Sequence, residues 1–190
     1  MSEDADFSKI KELIWITTKS RIYAERRFRS YDIASHIVLS LLSVVIISIT
    51  LLSEELPQSA PLDAYTVVYS VFILAASIVV FGFKFGETAT LHRECYLRLQ
   101  RLHDSTDTHD KVLERYHCIL SSYPNHSDCD YESLVISRTL LNSEIMSRSD
   151  GTSILWSYPM LFRWAVHHLS FWLLPCVILV TSIGSIFWIW

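Results

Sequence analysis

Glycine, proline and cysteine are scarce in this chain. Its 190 residues include only 4 Gly, 5 Pro and 4 Cys. Because neither Gly nor Pro occurs between Met1 and Leu56, nothing in that stretch interrupts a helix. The cysteines form no Cys-x-x-Cys pair, and three of them lie in segments that we expect to face a reducing cytoplasm. A disulfide framework is therefore not expected.

Motifs typical of catalysis are also missing. The chain has no Gly-x-Gly-x-x-Gly run, no P-loop and no nucleophile elbow. His103 and His109 lie among aspartates, but their spacing matches no zinc pattern, so we interpret this segment as a solvated loop. The net charge is −4 and the basic residues are interleaved with acids, which does not indicate a nucleic-acid surface. We predict a protein that is not an enzyme, needs no cofactor or metal and does not bind nucleic acid directly.

Two long apolar runs dominate the rest of the sequence. Ile33–Leu52 and Ala64–Phe83 contain no acidic or basic side chain. A helix of about 20 residues crosses a hydrocarbon core of roughly 30 Å, and a helix satisfies its own backbone hydrogen bonds in lipid. We therefore predict a transmembrane hairpin in the lipid bilayer, closed by an acidic, proline-bearing link at 53–63.

Basic residues flank the hairpin at both ends, whereas the link has none. They are Arg21, Arg26, Arg27 and Arg29 before the first run and Lys84, Arg93, Arg98 and Arg101 after the second. Since Lys and Arg stay on the cytoplasmic side, we expect a cytoplasmic N-terminus and an external link. The N-terminus has no basic region before a short apolar core, so we expect no cleavable signal peptide.

A third apolar segment, Ala165–Trp190, also lacks Asp, Glu, Lys and Arg. We expect it to form a third transmembrane helix, kinked at Pro175, which would place the C-terminus outside. A re-entrant or interfacial segment is the alternative. The preceding stretch, 152–164, carries Trp and Tyr side chains that suit the membrane–water interface.

A heptad-like seam precedes the first run. Its members recur at spacings of three and four, which places them on one helix face. They are Phe7, Ile10, Ile14, Thr17, Arg21, Ala24, Phe28 and Tyr31. With Ser8 as N-cap, we predict one long helix, or two nearly continuous ones, over 7–53. The seam either packs against the chain's other cytoplasmic helices or forms a coiled-coil contact between protomers.

The sequence from 84 to 147 has helical periodicity, broken by polar stretches at 103–110 and 121–130. We expect its first helix to continue directly from the second run and its last helix to end near Gly151. No alternation typical of β-hairpins occurs. The predicted fold class is an all-α membrane protein, in which a two-helix transmembrane hairpin extends into a cytoplasmic helical bundle and a third C-terminal transmembrane helix follows.

Two domains are predicted from this layout. The first, 1–147, comprises a cytoplasmic helix (7–32), the two spans (33–52 and 64–83) and the cytoplasmic helices (84–147). The second, 148–190, comprises the interfacial segment and the third span (165–190).

Each of the first two spans carries a polar stripe at helical spacing. The members are His36, Ser40, Ser43 and Thr50 in the first span and Thr66, Ser70 and Ser77 in the second. Such residues can line a hydrated pore in an oligomer, but hydroxyls also occur in ordinary packing of membrane helices, and both interpretations remain open. Gly82 and Gly86 form a Gly-x-x-x-Gly motif, which favours close approach of two helices in lipid.

The layout of the helices around the hairpin resembles a known family. A basic and aromatic helix leads straight into the hairpin (KIKELIWITTKSRIYAERRF), and a Tyr- and Leu-rich helix follows it directly (GETATLHRECYLRLQRL). In this the chain resembles, over residues 7–147, the SLATT family, the SMODS- and SLOG-associating two-transmembrane effectors of bacteria. The third apolar segment resembles the subgroup that has an extra C-terminal hydrophobic helix and is linked to reverse transcriptases. The family has no catalytic signature, so no residue role is transferred.

The resemblance implies a pore-forming or membrane-perturbing effector of an antiphage system in the bacterial inner membrane. A sensor encoded nearby (a reverse transcriptase, a nucleotide cyclase or a SLOG-type protein) would trigger it and cause growth arrest or cell death. Three helices of one subunit cannot enclose a pore, so we expect a homo-oligomer. Two alternatives are a membrane-anchored interaction module without a pore and a small membrane enzyme or redox protein that uses His36, His167 and His168.

Overall fold

The computed structural model describes residues 2–52 and 62–189 of the chain. Over these residues the chain forms six α-helices and one short antiparallel β-hairpin. The elements are α1 (Ser2–Leu52), α2 (Leu62–Phe83), α3 (Phe85–His103), α4 (His109–Ser121), α5 (Asp128–Ile136), β1 (Met146–Ser147), β2 (Ser153–Ile154) and α6 (Tyr158–Ile189). A π-helical segment, Ser137–Leu141, extends α5. The predicted helical fold class is confirmed, with the short β-hairpin as an addition.

The chain divides into two compact units. The first, which we call the bundle unit, comprises Met1–Arg29 and Gly86–His167. The second, the hairpin unit, comprises Ser30–Phe85 and His168–Trp190. The acidic link predicted at 53–63 lies almost wholly outside the described residues, which resume at Leu62.

The prediction of one long N-terminal helix is confirmed. α1 is unbroken from Ser2 to Leu52, as the absence of Gly and Pro led us to expect. It begins before Ser8, so that serine lies inside the helix and is not its cap. Residues of α1 belong to both units: those up to Arg29 to the bundle unit and those from Ser30 to the hairpin unit.

One hydrophobic core of the bundle unit joins α1, α3 and α4. Ile10 and Ile14 of α1 are buried in it, together with Leu99 of α3 and Val112 and Tyr116 of α4. Burying a large aliphatic or aromatic side chain contributes about 2 kcal/mol, so this cluster holds the N-terminal part of α1 against its two neighbours.

A second core lies under the β-hairpin. Leu134 and Val135 of α5 pack with Met146 of β1 and Ile154 of β2, and Trp15 of α1 covers the cluster. β1 and β2 pair with Met146 opposite Ile154. The hairpin therefore buries one side chain from each strand against α5 and α1.

Two expectations about this region are wrong. The last cytoplasmic helix ends at Leu141, well before Gly151, and a β-hairpin follows where no strands were expected. Gly151 has φ +82 and lies in the hairpin turn, where its amide donates to the Arg148 carbonyl at 2.9 Å. Asp150 stabilises the turn by accepting from the Thr152 amide at 2.8 Å. The Asp-Gly pair acts as a hairpin turn here, because glycine readily adopts positive φ.

The helix that follows the second span is not continuous with it, contrary to expectation. α2 ends at Phe83 and α3 begins at Phe85, with Lys84 between them at φ +49. A non-glycine residue in this conformation is uncommon and stops the regular pattern of helical hydrogen bonds. α1 and α2 thus differ, since only α1 enters the bundle unit without a break.

The hairpin unit contains α2, the second half of α1 and most of α6. Leu42 and Ile49 of α1 are buried in it. Tyr31 of α1 packs against Phe171 of α6, with ring centroids 4.8 Å apart, and against Phe85, at 5.6 Å. The third apolar segment is therefore helical and lies against α1 within this unit.

Candidate functional site

Two helical stretches are long and apolar enough to cross a membrane, namely Asp6–Leu51 and Asp63–His103. Large apolar side chains on them point outwards from the chain. Phe81 is 81% exposed and Leu51 is 75% exposed. Such extended apolar surface is not left in water by a soluble protein, so the surroundings of these helices are lipid or other copies of the chain.

The stripe hydroxyls are satisfied within their own helices. Ser43 donates to the Leu39 carbonyl at 2.9 Å and Thr50 to the Ile46 carbonyl at 3.0 Å. On α2, the corresponding donors are Thr66 (to Asp63, 2.9 Å), Ser70 (to Thr66, 2.7 Å) and Ser77 (to Ile73, 2.7 Å). This back-bonding lets a hydroxyl enter lipid at little cost, and it leaves the acceptor lone pairs of the oxygen available to water.

The stripes lie beside the packed faces of the hairpin unit. Ser43 directly follows the buried Leu42, and Thr50 directly follows the buried Ile49. His36, Ser40 and Ser70 are exposed at the surface of the single chain. These three side chains therefore face the surroundings of the single chain and not its interior.

The rest of the predicted membrane residues lie apart from these packed faces. His36 is near the N-terminal end of the predicted first span, with its Nε2 3.8 Å from an Asp32 carboxylate oxygen. At Gly82 no heavy atom of the described residues lies within 4 Å of the position that a Cβ would take. Gly86 belongs to the bundle unit, whereas Gly82 belongs to the hairpin unit.

The seam from Phe7 to Phe28 lies in the bundle unit, whereas its last member, Tyr31, lies in the hairpin unit. Ile10, Ile14 and Arg21 are buried, and Phe7 and Phe28 are half-buried. Phe7, Ile10 and Ile14 contact the core formed with α3 and α4. Of the two interpretations that the sequence left open, the contacts within the chain thus account for the seam without a coiled coil between protomers.

Below that core the seam becomes polar. Arg21 is 1% exposed, and its Nη1 donates to the Pro124 carbonyl at 2.7 Å. Six residues further along α1, Arg27 forms a two-pronged ion pair with Asp130 of α5: Nε to Oδ1 is 2.8 Å and Nη2 to Oδ2 is 3.0 Å. Asp130 also accepts from the Ser127 amide at 2.9 Å and so caps α5. Arg21 thus fixes α1 to the loop before α5 by a hydrogen bond, and Arg27 fixes it to α5 by paired charges.

Two histidines lie close to these charged side chains, and we call Arg21, Arg27, Asp130 and the two histidines the polar cluster. His92 of α3 is buried and stacks on Phe28, with ring centroids 5.5 Å apart. Burial and the nearby Arg21 guanidinium lower the pKa of His92 to about 4. Burial, and then Arg21, also lower the pKa of His126. Both imidazoles are therefore neutral at pH 7, because a further positive charge beside Arg21 is unfavourable.

α6 is tied to the bundle unit by a charge pair of its own. Arg163, near the start of α6, donates to the Glu132 carboxylate of α5. The Glu132 side chain is buried and its second oxygen has no hydrogen-bond partner among the described residues. Like α1, then, α6 carries an arginine that pairs with α5 and continues into the hairpin unit.

Comparison with protein-family models gives a match over residues 3–181 to the SMODS and SLOG-associating 2TM effector domain family 5. The match covers nearly the whole chain. The chain belongs to this SLATT family. A search of the curated proteins and a search of the solved structures each gave no significant match.

Membership settles the coarse character of the protein. This SLATT protein is a membrane protein with a two-transmembrane effector domain, of a family named for its association with SMODS and SLOG systems. The family is described as an effector and not as a catalytic domain. The resemblance noted in the sequence is thereby confirmed at the level of the family.

Sequence reasoning missed the polar cluster at α5. It placed Arg21 in the seam and counted Arg27 only among the basic residues that flank the transmembrane hairpin, and it gave no role to Asp130 or His92. The one local signal was Ser127 followed three residues later by Asp130, which resembles a capping box. The partnership of Arg27 with Asp130 spans 103 residues and has no local signature.

Proposed function

We propose that this SLATT protein is a pore-forming or membrane-perturbing effector that acts as a homo-oligomer in the bacterial inner membrane. A sensor partner encoded nearby would act on the bundle unit, and the response would be growth arrest or cell death. The continuity of α1 carries this proposal. A signal received by its first half would reach the first span along one continuous helix.

The polar cluster supplies a place where such a signal acts. Arg21, Arg27 and Asp130 hold α1 to α5, and the Arg163–Glu132 pair holds α6 to the same helix. Because both attachments meet on α5, a partner that displaces α5 would release α1 and α6 together. A closed and an open packing of the membrane helices would then differ by a few charged contacts.

The proposed pore uses the stripes described above. Several copies would place His36, Ser40, Ser43, Thr50, Thr66, Ser70 and Ser77 around a hydrated path, with the N-terminus in the cytoplasm and the 53–63 link outside. Gly82 would allow close contact between neighbouring α2 helices, and Gly86 between the first turns of neighbouring α3 helices. Helix α6 would form a third span with an external C-terminus. In this proposal 1–147 both receives the signal and lines the pore, and 148–190 supports the assembly.

Inducible expression in bacteria with a membrane-potential dye tests the proposal. The protein, expressed with its genomic neighbour, should depolarise the cells before growth stops. The double variant Ser43→Leu, Ser77→Leu should lose at least tenfold of the depolarisation rate, because it removes two hydroxyls from the proposed path. Ser48→Leu is the matched control, since Ser48 back-bonds to Val44 on α1 but lies outside the stripe.

A membrane-anchored interaction module is the second candidate, and the dense ionic contacts of the bundle unit favour it as a docking platform. This candidate predicts that growth arrest persists in the Ser43→Leu, Ser77→Leu variant and that no depolarisation precedes it. Depolarisation that is equal in the stripe variant and in Ser48→Leu would also count against a path along the stripes.

A further inference from the structure

A groove of about 520 Å³ opens on the bundle unit between the N-terminal part of α1, the π-helical segment and the β-hairpin. This volume falls within the ~300–1,000 Å³ of typical small-molecule sites. The polar and aromatic residues that matter here are Lys11, Glu12, Trp15, Arg138, Arg148 and Ser149. The groove is separate from the polar cluster around Arg21, and the function proposed above makes no use of it.

Positive charge predominates in the groove. Lys11, Arg138 and Arg148 line it, against the single carboxylate of Glu12. Arg138 is already engaged, since it pairs with Glu144 at 2.8 Å and lies over the Trp15 ring at 5.0 Å. The other two cations make no ion pair with the described residues, although Lys11 lies over the Phe7 ring and Arg148 helps to lower the pKa of Asp150. Two cations at one groove are thus available to an anion.

The groove already holds one anionic group of the chain itself. The Ser149 amide, at the tip of the hairpin, donates to Glu12 Oε2 at 2.6 Å. The amide is directed at a carboxylate oxygen, next to an arginine, in the way that turn amides bind oxyanions. Glu12 thus occupies an amide donor that a ligand oxyanion would use, in a groove that Lys11 and Arg148 also line.

We propose that this groove binds the phosphate group of a small soluble molecule, which replaces Glu12 at the Ser149 amide and pairs with Lys11 and Arg148. The inference rests on the proposed function in one respect: it identifies where a soluble trigger reaches α1. Since α1 continues as the first span, a ligand that joins Lys11 and Glu12 of α1 to the hairpin turn acts directly on the transmitting helix.

Binding is measured on the full chain in detergent by isothermal titration with inorganic pyrophosphate. The double variant Lys11→Ala, Arg148→Ala should weaken binding at least tenfold, because it removes both available cations. The matched control is Arg93→Ala, Lys111→Ala, which removes the same charge from exposed positions of α3 and α4 outside the groove. The control should bind as the wild type does, and equal weakening in both double variants, or no binding by the wild type, would overturn the proposal.

Glu12→Gln and Glu12→Ala together separate displacement from simple charge attraction. Both variants remove the same negative charge, but only Glu12→Ala also removes the oxygen that accepts from the Ser149 amide. Pyrophosphate should therefore bind several-fold more tightly to Glu12→Ala than to Glu12→Gln. Equal affinities of the two variants would contradict the replacement of Glu12 at that amide. Titration with adenosine triphosphate distinguishes the source of the phosphate. Tighter binding than pyrophosphate indicates that the groove also holds an organic group against Trp15, whereas equal affinity assigns the site to the phosphates alone.

These measurements are independent of conduction. Binding that persists in a protein unable to depolarise cells would leave the groove assigned and the pore refuted. A protein that depolarises cells but does not bind pyrophosphate would refute the groove as a phosphate site and leave the pore proposal standing.

Discussion

The bundle unit and the hairpin unit satisfy their polar groups in different ways. In the bundle unit, side chains far apart in sequence pair with one another, as Arg27 does with Asp130 and Thr17 with Tyr116. In the hairpin unit, the hydroxyls of Ser43 and Ser77 donate to carbonyls one turn earlier in the same helix. Long-range pairs specify one packing of the helices, whereas back-bonded hydroxyls are satisfied in any packing.

This difference suggests a division of labour. The bundle unit is held in one arrangement by directional contacts, so disturbing it requires a specific partner. The hairpin unit keeps its polar groups satisfied while its helices rotate or separate, so its packing can change at low cost. An effector of this kind would be controlled in the bundle unit and would respond in the hairpin unit.

The largest effect is expected from loss of the ion pair between Arg27 and Asp130 in the bundle unit. Asp130→Ala removes both hydrogen bonds between Arg27 and Asp130 and the side-chain cap of α5. It should lower the stability of the bundle unit by about 3 kcal/mol, the usual cost of breaking a buried ion pair. Thermal denaturation followed by circular dichroism measures this. Asp128→Ala, in the same helical turn but exposed, is the control and should have a much smaller effect. Similar melting temperatures for the two variants would contradict the stabilising role of this ion pair.

Acid should weaken the bundle unit through His92. Its pKa is about 4 in the fold against an ordinary value of 6.5, so the unfolded chain takes up the proton first. The contribution of the neutral imidazole to the free energy of unfolding is complete above pH 6.5 and is lost as the pH falls from 6.5 to 4. The total loss is up to about 3 kcal/mol, since each unit of pKa difference corresponds to about 1.4 kcal/mol.

His92→Gln should flatten this part of the stability–pH profile, and His117→Gln, at an exposed position of α4, should not. The measurement is the melting temperature at a series of pH values, compared between these variants. A profile of His92→Gln that is as steep as that of the wild type would show that other groups cause the acid response.

A smaller effect is expected in the turn of the β-hairpin, which lies in the bundle unit. Gly151→Ala places a Cβ at φ +82 and should cost about 1 kcal/mol, because L-residues disfavour this region. Gly184 lies within α6, so Gly184→Ala should be neutral or slightly stabilising and serves as the contrast. Chemical denaturation of the two variants gives the difference, and a destabilisation confined to Gly184→Ala would reverse our view of these glycines.

The smallest effect is expected in the hairpin unit itself. Ser48→Ala removes a hydroxyl that donates only to its own helix at 2.9 Å, so stability should change by less than about 0.5 kcal/mol. Thr17→Val, which breaks the long-range bond to Tyr116, should cost about 1 kcal/mol or more. Equal effects of these two variants would remove the contrast between the units.

The sequence sufficed for the long elements and for the family. The absence of Gly and Pro predicted the unbroken α1, and the uncharged runs predicted the transmembrane hairpin. The sequence was insufficient where contacts between elements decide the structure. Lys84 breaks the helix although it is neither Gly nor Pro, and the π-helical segment that extends α5 ends at Leu141, well before Gly151. The Asp150-Gly151 pair was a readable turn signal that was interpreted as a helix end. The partners of Arg21 and Arg27 depend on contacts over about a hundred residues, which local periodicity does not contain.

The central claim is that this SLATT protein makes membranes permeable under control of its bundle unit. The most direct measurement is release of ions and a small dye from liposomes that contain the purified protein, with and without the protein encoded beside it. The account predicts release that rises when the partner is added and that falls at least tenfold in the Ser43→Leu, Ser77→Leu variant but not in Ser48→Leu. Liposomes that stay sealed with the partner present would contradict it.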